Sequence, residues 1–511
     1  MSQKFEDSHF NKKIMFFLVG ICIIGIIIRL YYTPNNIPLN LDAFTGYFWY
    51  AMDISILGHL PNYTLSQSGW GEFLSLFFTN FHSDRLMDYM NLQRIVSVIV
   101  SGLTIIPVYF ICRKYFSEYF SLLGAVIFAF EPRIIINSTL GISEPLYIFV
   151  ISLGVLFFLN SNKIISYVSF GFFAWATIIR PEGQFWFLAF AIIYFVRFRK
   201  NPKDLIKFVI PVVIFLIVLS PFVYHRILCC DNDAIIGRVL IEISNYNTSQ
   251  NESYEQANTV YGPNWISGIK LFGWSLIPIF IVFIPLGIIQ IFRNFRYPNN
   301  LLIISSAVLS LPILYSTSIA PDTRYVFALF PIFIVISLFG IKWISDIFKS
   351  KRMILAIITI AIISSSVIFL DIKKIDYEEN VEAFEITRLL PTDLKGVNEG
   401  SKIIQYLPIV ELEKKWPIKE TTGQYMKEYE VKIIPISKYN SLNELISFEK
   451  SNITHLIIDE NGNNPEYILD IIKNEANYPF LVKEFDSKQF DFKYRVKVYK
   501  IDYNIFREMS S

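Results

Sequence analysis

The sequence predicts a polytopic α-helical membrane protein of about eleven spans, closed by a C-terminal soluble α/β domain, and three observations carry that prediction. Hydrophobic residues make up 53% of the 511 and charged residues only 18%, where soluble domains carry roughly 25% charge. With a mean hydropathy of +0.43, the apolar surface exceeds what a compact core could hide from water, so the bulk of the chain belongs in lipid. Apolar runs long enough to cross a hydrocarbon layer of about 30 Å recur along the chain and stop before residue 372. From Asp371 the composition turns soluble.

The clearest runs are 14–30, 95–112, 146–159, 205–224, 271–292, 301–315, 325–341 and 353–370. The first follows Lys12-Lys13 and has no small-residue cleavage site after it, which reads as a retained anchor rather than a signal peptide. Two longer regions need breaks. Residues 119–159 contain Glu131-Pro132-Arg133 and the Gly141 to Pro145 stretch, and residues 164–196 contain Arg180-Pro181-Glu182-Gly183. One helix through the second would be about 50 Å long, with charges and a proline in mid-membrane. Each region is therefore read as a hairpin of two short helices.

That reading sets the sidedness of every later loop, and basic residues test it. With the N-terminus inside, Lys12-Lys13, Arg113-Lys114, Lys163, the cluster from Arg197 to Lys207, Arg293 with Arg296, and Lys342 to Arg352 all fall on the cytoplasmic side. The sequons at Asn62, Asn137, Asn247, Asn251 and Asn452 all fall outside. Residues 1–371 form the transmembrane part, with a long first outer loop at 32–91, and residues 372–511 form the extracytoplasmic domain. In that domain short apolar runs (403–407, 431–436, 455–458, 494–499) alternate with amphipathic stretches (442–448, 467–472), the pattern of a small α/β fold. Asp459-Glu460 reads as a solvated strand end.

The balance of 46 Lys+Arg against 44 Asp+Glu leaves +2, without the one-signed field that nucleic-acid binders build, so nucleic acid is not an expected partner. Cys22, Cys112, Cys229 and Cys230 offer neither a disulfide framework nor a redox or zinc spacing.

Charges beside the spans carry the chemical information, because the bilayer penalises them. The first outer loop opens with Asp42-Ala43-Phe44 and continues through Trp49 to Asp53, an aromatic-rich stretch that reads as an interfacial helix. Asp42 and Asp53 lie about 16 Å apart along such a helix and cannot share one reacting atom. Asp42 is the better site candidate; its alternative role is an N-cap. Ser143-Glu144-Pro145 brings Glu144 to the same outer face, also in the pattern of a capped helix start. Arg133, Arg180, Arg226, Arg324 and His225 approach that face too, some of them by snorkelling. Carboxylates and cations gathered at one outer surface suit a reaction on a membrane-held phosphate: a base for an incoming hydroxyl and positive groups for a leaving phosphate.

The order of these features resembles the GT-C class of integral-membrane glycosyltransferases, which includes protein mannosyltransferases, aminoarabinose transferases and oligosaccharyltransferases. The matching pieces are Leu41-Asp42-Ala43-Phe44, Gly58-His59-Leu60-Pro61, Ser143-Glu144-Pro145-Leu146, Arg180-Pro181-Glu182-Gly183 and Asp322-Thr323-Arg324-Tyr325, over about the first 370 residues. The resemblance implies an inverting transferase that moves a sugar, hexosyl or mannosyl, from a polyprenyl-phosphate donor to a hydroxyl on a protein, glycan or lipid outside the membrane. It implies Asp42 as the carboxylate that activates the acceptor and Glu144 as the second acidic residue of the site. Arg324, Arg226, His225 and Arg180 are the candidates for the donor phosphate.

A divalent cation, Mg or Mn, is implied as an assistant, although Ala43 stands where many relatives carry a second carboxylate. The chain also lacks the Trp-Trp-Asp acceptor motif of oligosaccharyltransferases, against en bloc transfer to asparagine. The competing reading is a transporter or flippase of lipid-linked sugars. Such proteins hold their charges near the bilayer midplane between repeated halves, and no repeat is evident here. Richness in Ile, Asn, Lys and Phe leans toward a prokaryotic cell membrane.

Overall fold

The computed structural model describes residues 12–40, 42–63, 65, 68–198, 202–230, 265–293, 297–319, 322–348, 351–390, 394–399, 401–417, 421, 432–434, 436, 439–448, 453–460 and 464–510. The sequons at Asn247, Asn251 and Asn452 lie outside the described residues. The chain divides into two compact units. One comprises Met1–Thr33, Leu60–Leu76 and Leu92–Leu370; the other comprises Pro34–His59, Phe77–Asn91 and Asp371–Ser511. The division is not a single cut near residue 371, because the first outer loop contributes segments to both.

Five helices of the described residues are long and apolar enough to cross a membrane: α1 (Lys12–Tyr31), Leu86–Arg113, Pro202–Cys229, Phe330–Ile347 and Lys351–Leu389. The count rises to seven if each of two bent pairs is one span, Glu118–Ala129 with Pro132–Thr139 at 48° and Trp265–Ser275 with Phe280–Arg293 at 95°. Four further apolar helices, Glu144–Phe158, Lys163–Ile179, Gly183–Phe198 and Leu301–Leu314, are shorter. The chain is an integral membrane protein.

Its breaks follow local chemistry. Residues 163–198 form two helices, Lys163–Ile179 and Gly183–Phe198, separated at Arg180-Pro181-Glu182. Residues 118–158 form three helices rather than the expected two. Glu118–Ala129 stops at Phe130, and Pro132–Thr139 begins with Glu131 as its cap, the carboxylate accepting from the Arg133 N–H at 3.4 Å. Glu144–Phe158 follows Gly141, whose φ of 73° turns the chain as only glycine does without strain. Asn137 is buried on the middle helix, so that sequon is closed to modification. Helices Phe280–Arg293 and Phe330–Ile347 meet backbone to backbone: a Cβ on Gly287 would stand 1.9 Å from the Ile336 carbonyl oxygen. Such small-residue contacts replace the hydrophobic drive that lipid cannot supply.

Each break also strands helix-end carbonyls where little water competes. Arg29, fully buried on α1, donates to the carbonyls of Ala129 (2.9 Å) and Phe128 (3.3 Å) at the end of one helix, and to Ser101 Oγ (3.0 Å). Arg133 donates to Trp274 (2.7 Å) in the last turn of Trp265–Ser275 and to Ile277 (3.0 Å) just beyond it. Arg197 donates to Phe158 (2.7 Å) and Asn160 (3.0 Å). In each case a cation meets the negative end of a helix.

The second unit contains a five-stranded sheet in the order β2-β1-β3-β5-β4, made of β1 (Gly396–Asn398), β2 (Lys432–Ile434), β3 (His455–Asp459), β4 (Leu481–Asp486) and β5 (Val496–Ile501). β1 runs parallel to β2 and β3, and β5 is antiparallel to β3 and β4. Helices Leu442–Phe448 and Glu466–Lys473 pack Leu445, Ile446, Ile468 and Ile471 onto Leu456 and Ile458. The run 403–407 is helical, not extended: Ser401 accepts from the Ile403 N–H at 3.3 Å, and Pro408 starts the helix Leu407–Lys415. Asp459 is a structural acceptor, taking a 2.6 Å bond from the Tyr494 hydroxyl, and Glu460 pairs with Lys497 at 3.3 Å.

The stretch after Asp42 is a π-helical turn, Asp42–Phe48, running into Trp49–Leu57. Phe44, Phe48, Trp49 and Tyr50 are buried rather than spread on an interface, and the first three pack on other rings. Phe44 meets Phe48, Phe48 meets Phe78, Phe78 meets Tyr89 and Tyr89 meets Trp416, with centroids 5.4–5.5 Å apart. This chain of rings ties the three segments of the second unit together.

Two outcomes follow from these contacts. Arg29→Met leaves the Ala129 and Phe128 carbonyls unpaired in the membrane, and should destabilise the protein by about 2–4 kcal/mol; thermal unfolding in detergent reads this, and an unchanged midpoint would remove Arg29 as an anchor. Glu475 accepts from Lys483 (2.8 Å), Lys497 (2.5 Å) and Tyr499 (3.0 Å), and its carboxyl is drawn down to about 2, by Lys483 first and then Lys497. A depressed folded-state value contributes stability above the unfolded-state value of about 4.3, and loses it as pH falls toward 2. Wild type should therefore melt above Glu475→Gln at pH 6, with the gap closing by pH 2; a pH-independent gap would refute the linkage.

Candidate active site

Glu144 opens its helix directly before Pro145, where the helix dipole favours negative charge. Arg180 lies in the break between Lys163–Ile179 and Gly183–Phe198. Arg324 opens the short helix Arg324–Phe327, and Asp322 holds both ends of it, accepting from its backbone N–H at 2.8 Å and from Nε at 2.5 Å. These three local devices converge.

Arg180 Nη1 donates to Glu144 Oε1 at 2.5 Å, and its Nε reaches Glu182 Oε2 at 3.3 Å. Arg324 Nη1 stands 3.9 Å from the same Glu144 oxygen. The result is an alternating chain, Glu182–Arg180–Glu144–Arg324–Asp322, in which each guanidinium lies between two carboxylates. Its centre is buried, with the Glu144 side chain 4% exposed, and its ends are open, with Glu182 at 21% and Asp322 at 29%. The Arg180 guanidinium also lies 5.4 Å from the Tyr325 ring centre.

Glu182, Arg180, Glu144 and Arg324 of this chain line a small cleft, whose remaining wall is mostly apolar and aromatic and includes Ile148, Trp186, Leu309, Pro312 and Ile313. Tyr147, one turn after Glu144, also lines it, with its buried hydroxyl beside the Trp186 indole and no acceptor for the hydroxyl proton. The site thus offers paired positive charge, a buried hydroxyl donor and a greasy wall within one opening. That combination suits an amphiphile with an anionic head.

Of the residues expected from sequence, the structure brings together Glu144, Arg180 and Arg324. Arg226 and His225 do not line the cleft. Arg226 donates to the Leu65 carbonyl at 2.9 Å, and His225 faces Glu72, whose carboxyl is raised by burial against the opposing pull of the Ser68 hydroxyl and the His225 charge. Asp42 belongs to the second unit and is exposed; the capping role goes to Asn40, which accepts from the Ala43 N–H at 3.0 Å. Glu182, Asp322 and Tyr147 were not singled out from sequence, although their spacing was a signal: Glu182 and Asp322 each stand two residues from an arginine, and Tyr147 three from Glu144 on one helical face. Among the described residues no group of three or more His, Cys, Asp and Glu side chains could hold a metal ion.

Removing the central carboxylate should be costly. Glu144→Ala takes the 2.5 Å carboxylate partner from the buried Arg180, with half-buried Arg324 beside it, and should destabilise by about 3–5 kcal/mol, while adding Arg180→Met should restore part of it, since the under-compensated buried charge is what destabilises. Thermal unfolding of the two singles and the double decides this, and strictly additive losses would dissolve the pairing.

Residues 83–225 match the protein family described as dolichyl-phosphate-mannose-protein mannosyltransferase. No curated protein matches the sequence. Among solved structures, the chain is similar to ArnT from Cupriavidus metallidurans bound to undecaprenyl phosphate, with a TM-score of 0.57 and 9% identity over 94% of this chain and 97% of that one. It is similar also to the archaeal oligosaccharyltransferase AglB from Archaeoglobus fulgidus, in complex with an inhibitory peptide and a dolichol-phosphate, with a TM-score of 0.52 and 11% identity over 87% of this chain and 69% of that one. Another structure of the Archaeoglobus enzyme, tethered to an acceptor peptide containing the NVT sequon, aligns at 0.52 and 12% identity over the same shares. At these identities the likeness is one of fold, and what it establishes is that this integral membrane protein has the fold of the GT-C class, the class its loop motifs resemble.

Proposed function

We propose that the protein is a membrane glycosyltransferase that takes a sugar from a polyprenyl-phosphate donor and passes it to an acceptor hydroxyl on the outer face of the membrane. The observation that carries this reading is the cleft, in which two arginines held by carboxylates stand against an apolar wall. A sugar phosphate on an isoprenoid chain has the matching halves. The GT-C fold, the neighbours solved with undecaprenyl phosphate and dolichol-phosphate, and the mannosyltransferase family matched over residues 83–225 support the same donor class.

In the proposed reaction the acceptor oxygen attacks the anomeric carbon as the bond from that carbon to the phosphate oxygen breaks. Asp42 takes the hydroxyl proton, and the electron pair of the broken bond leaves with the polyprenyl phosphate. Arg180 and Arg324 stabilise the charge that gathers on that oxygen, and the Tyr147 hydroxyl donates to the same phosphate. Single displacement inverts the anomeric centre. The sugar is proposed to be a hexose, mannose by the family matched, and the acceptor a protein, glycan or lipid. A divalent cation, Mg or Mn, stays in the proposal as an assistant held by one or two carboxylates and the donor phosphate, and no step is routed through it. The N-terminus is proposed to lie in the cytoplasm and residues 372–511 outside, in a prokaryotic cell membrane.

The test is turnover of radiolabelled polyprenyl-phosphate sugars, offered singly to the purified protein with membrane extract as acceptor source. Wild type should release free lipid phosphate, and Asp42→Asn should lower kcat by about 10²–10⁴-fold, the usual worth of a positioned base. Arg324→Ala should raise the donor KM at least about tenfold, as expected when a charge-assisted contact is lost. No turnover with any donor by folded protein would favour lipid-linked sugar transport instead, and equal turnover by Asp42→Asn would remove Asp42 as the base.

A further inference from the structure

The short distance between Glu144 and Arg180 is set by neither of their own helices. Each residue follows a break, Glu144 three residues after Gly141 and Arg180 directly after Ile179, and broken backbone does not by itself fix a side chain to within an ångström. One element touches both breaks. It is the first turn of the helix Gly69–Phe78, from the first outer loop, within the same compact unit.

At one break, the Gly141 carbonyl accepts two buried side-chain donors, the Trp70 indole N–H at 2.9 Å and the Gln93 amide at 2.7 Å. Trp70 and Gln93 are both 0% exposed. A carbonyl taking two neutral donors on its two lone pairs is fixed in direction, and the left-handed Gly141 passes that direction to Ile142, Ser143 and Glu144. At the other break, Gly69 lies against backbone: a Cβ there would stand 3.0 Å from the Ile178 carbonyl carbon and 3.0 Å from Ile179 Cα, immediately before Arg180. Adjacent residues, Gly69 and Trp70, therefore gauge the two segments that carry the ion pair.

The turn itself is held. Ser68 Oγ donates to Glu72 Oε1 at 2.7 Å, Glu72 N–H donates to the Ser68 carbonyl at 2.9 Å, and Trp70 stacks on Phe73 with centroids 5.9 Å apart. Arg226 donates to the Leu65 carbonyl at 2.9 Å. Arg226, one of the residues that sequence reasoning assigned to the donor phosphate, thus meets a first-loop carbonyl.

We infer that Trp70 and Gln93 are positioning residues that hold the Gly141 carbonyl, and through it the Glu144 carboxylate, at bonding distance from Arg180. Neither touches the cleft. Their effect on chemistry rests on the reading of the cleft as the donor site, but their effect on the ion pair does not.

Trp70→Phe keeps an aromatic ring and deletes the N–H; Gln93→Met keeps length and deletes the amide. Each is combined with Glu144→Gln in a double-mutant cycle on kcat/KM for a polyprenyl-phosphate sugar, and the Trp70→Phe/Gln93→Met protein is also solved by cryo-electron microscopy in nanodiscs. Trp70→Phe should lower kcat/KM about tenfold in wild type and less than about twofold beside Glu144→Gln, because the group it positions is already gone. A merely structural role would cost the same in both backgrounds, and that additivity overturns the inference. The microscopy should find Glu144 and Arg180 separated while the helices that carry them stay in place; an intact pair refutes the inference even if the protein turns over no donor. Inactive wild type together with a separated pair would leave the positioning role standing and remove the glycosyltransferase reading.

Discussion

A backbone carbonyl stranded in the membrane is the constraint on which the first unit depends. A span that breaks before it has crossed leaves the last turn's oxygens without partners, in a medium where each unpaired group costs a few kcal/mol. The chain has helix ends inside the first unit at Ala129, at Phe158 and near Trp274, and at each of them arginines from other helices meet the carbonyls. Arg29, Arg133 and Arg197 each serve two such oxygens. A guanidinium suits the task because its donors form a planar fork, and because it opposes the dipole of the helix end it meets. Without those anchors the short helices would lose fixed neighbours.

This also sorts the arginines, which composition and sidedness could not do. Arg133, Arg180, Arg226 and Arg324 all approach the outer face in the sequence, and nothing local ranks them. What separates them is the acceptor: Arg133 and Arg226 meet carbonyls, whereas Arg180 and Arg324 meet carboxylates. The acceptors of Arg133 and Arg226 are far along the chain, and a partner more than a hundred residues away has no signature at either position. The carboxylates two residues from Arg180 and Arg324 were in plain view, and their pairing is the part of the site that sequence could have supplied more fully.

The fold shows the same division between local and distant causes. Hydropathy located the apolar helices, and proline with charge located the break at Arg180-Pro181-Glu182, because both are properties of a short window. The extra helix Pro132–Thr139 was missed, although Glu131-Pro132 is a cap followed by a helix-starting proline. The assignment of 34–59 and 77–91 to the second unit was not legible at all. It rests on rings that meet across the chain, Phe48 on Phe78 and Tyr89 on Trp416, and an aromatic run looks alike whether it will lie on lipid or on other rings. In the C-terminal region the alternation of runs and amphipathic stretches pointed to an α/β sheet, while the short strand Gly396–Asn398 and the helical fate of 403–407 depended on pairing and capping rather than on hydrophobicity.

The alternating charges of the cleft have a bearing on selectivity. Each guanidinium already has a carboxylate on either side, so an arriving anion exchanges one negative partner for another and gains little Coulomb energy by doing so. A small inorganic phosphate has nothing else to offer and must compete as an equal with Glu182 or Asp322. An anion carrying a long hydrocarbon chain brings the burial of apolar surface along the Leu309 and Ile313 wall, roughly 25 cal/mol for every Å² removed from water. On the proposed reading the built-in carboxylates act as occupants that soluble anions displace poorly, and membrane attachment of the ligand, rather than its charge, is the quantity by which the cleft discriminates.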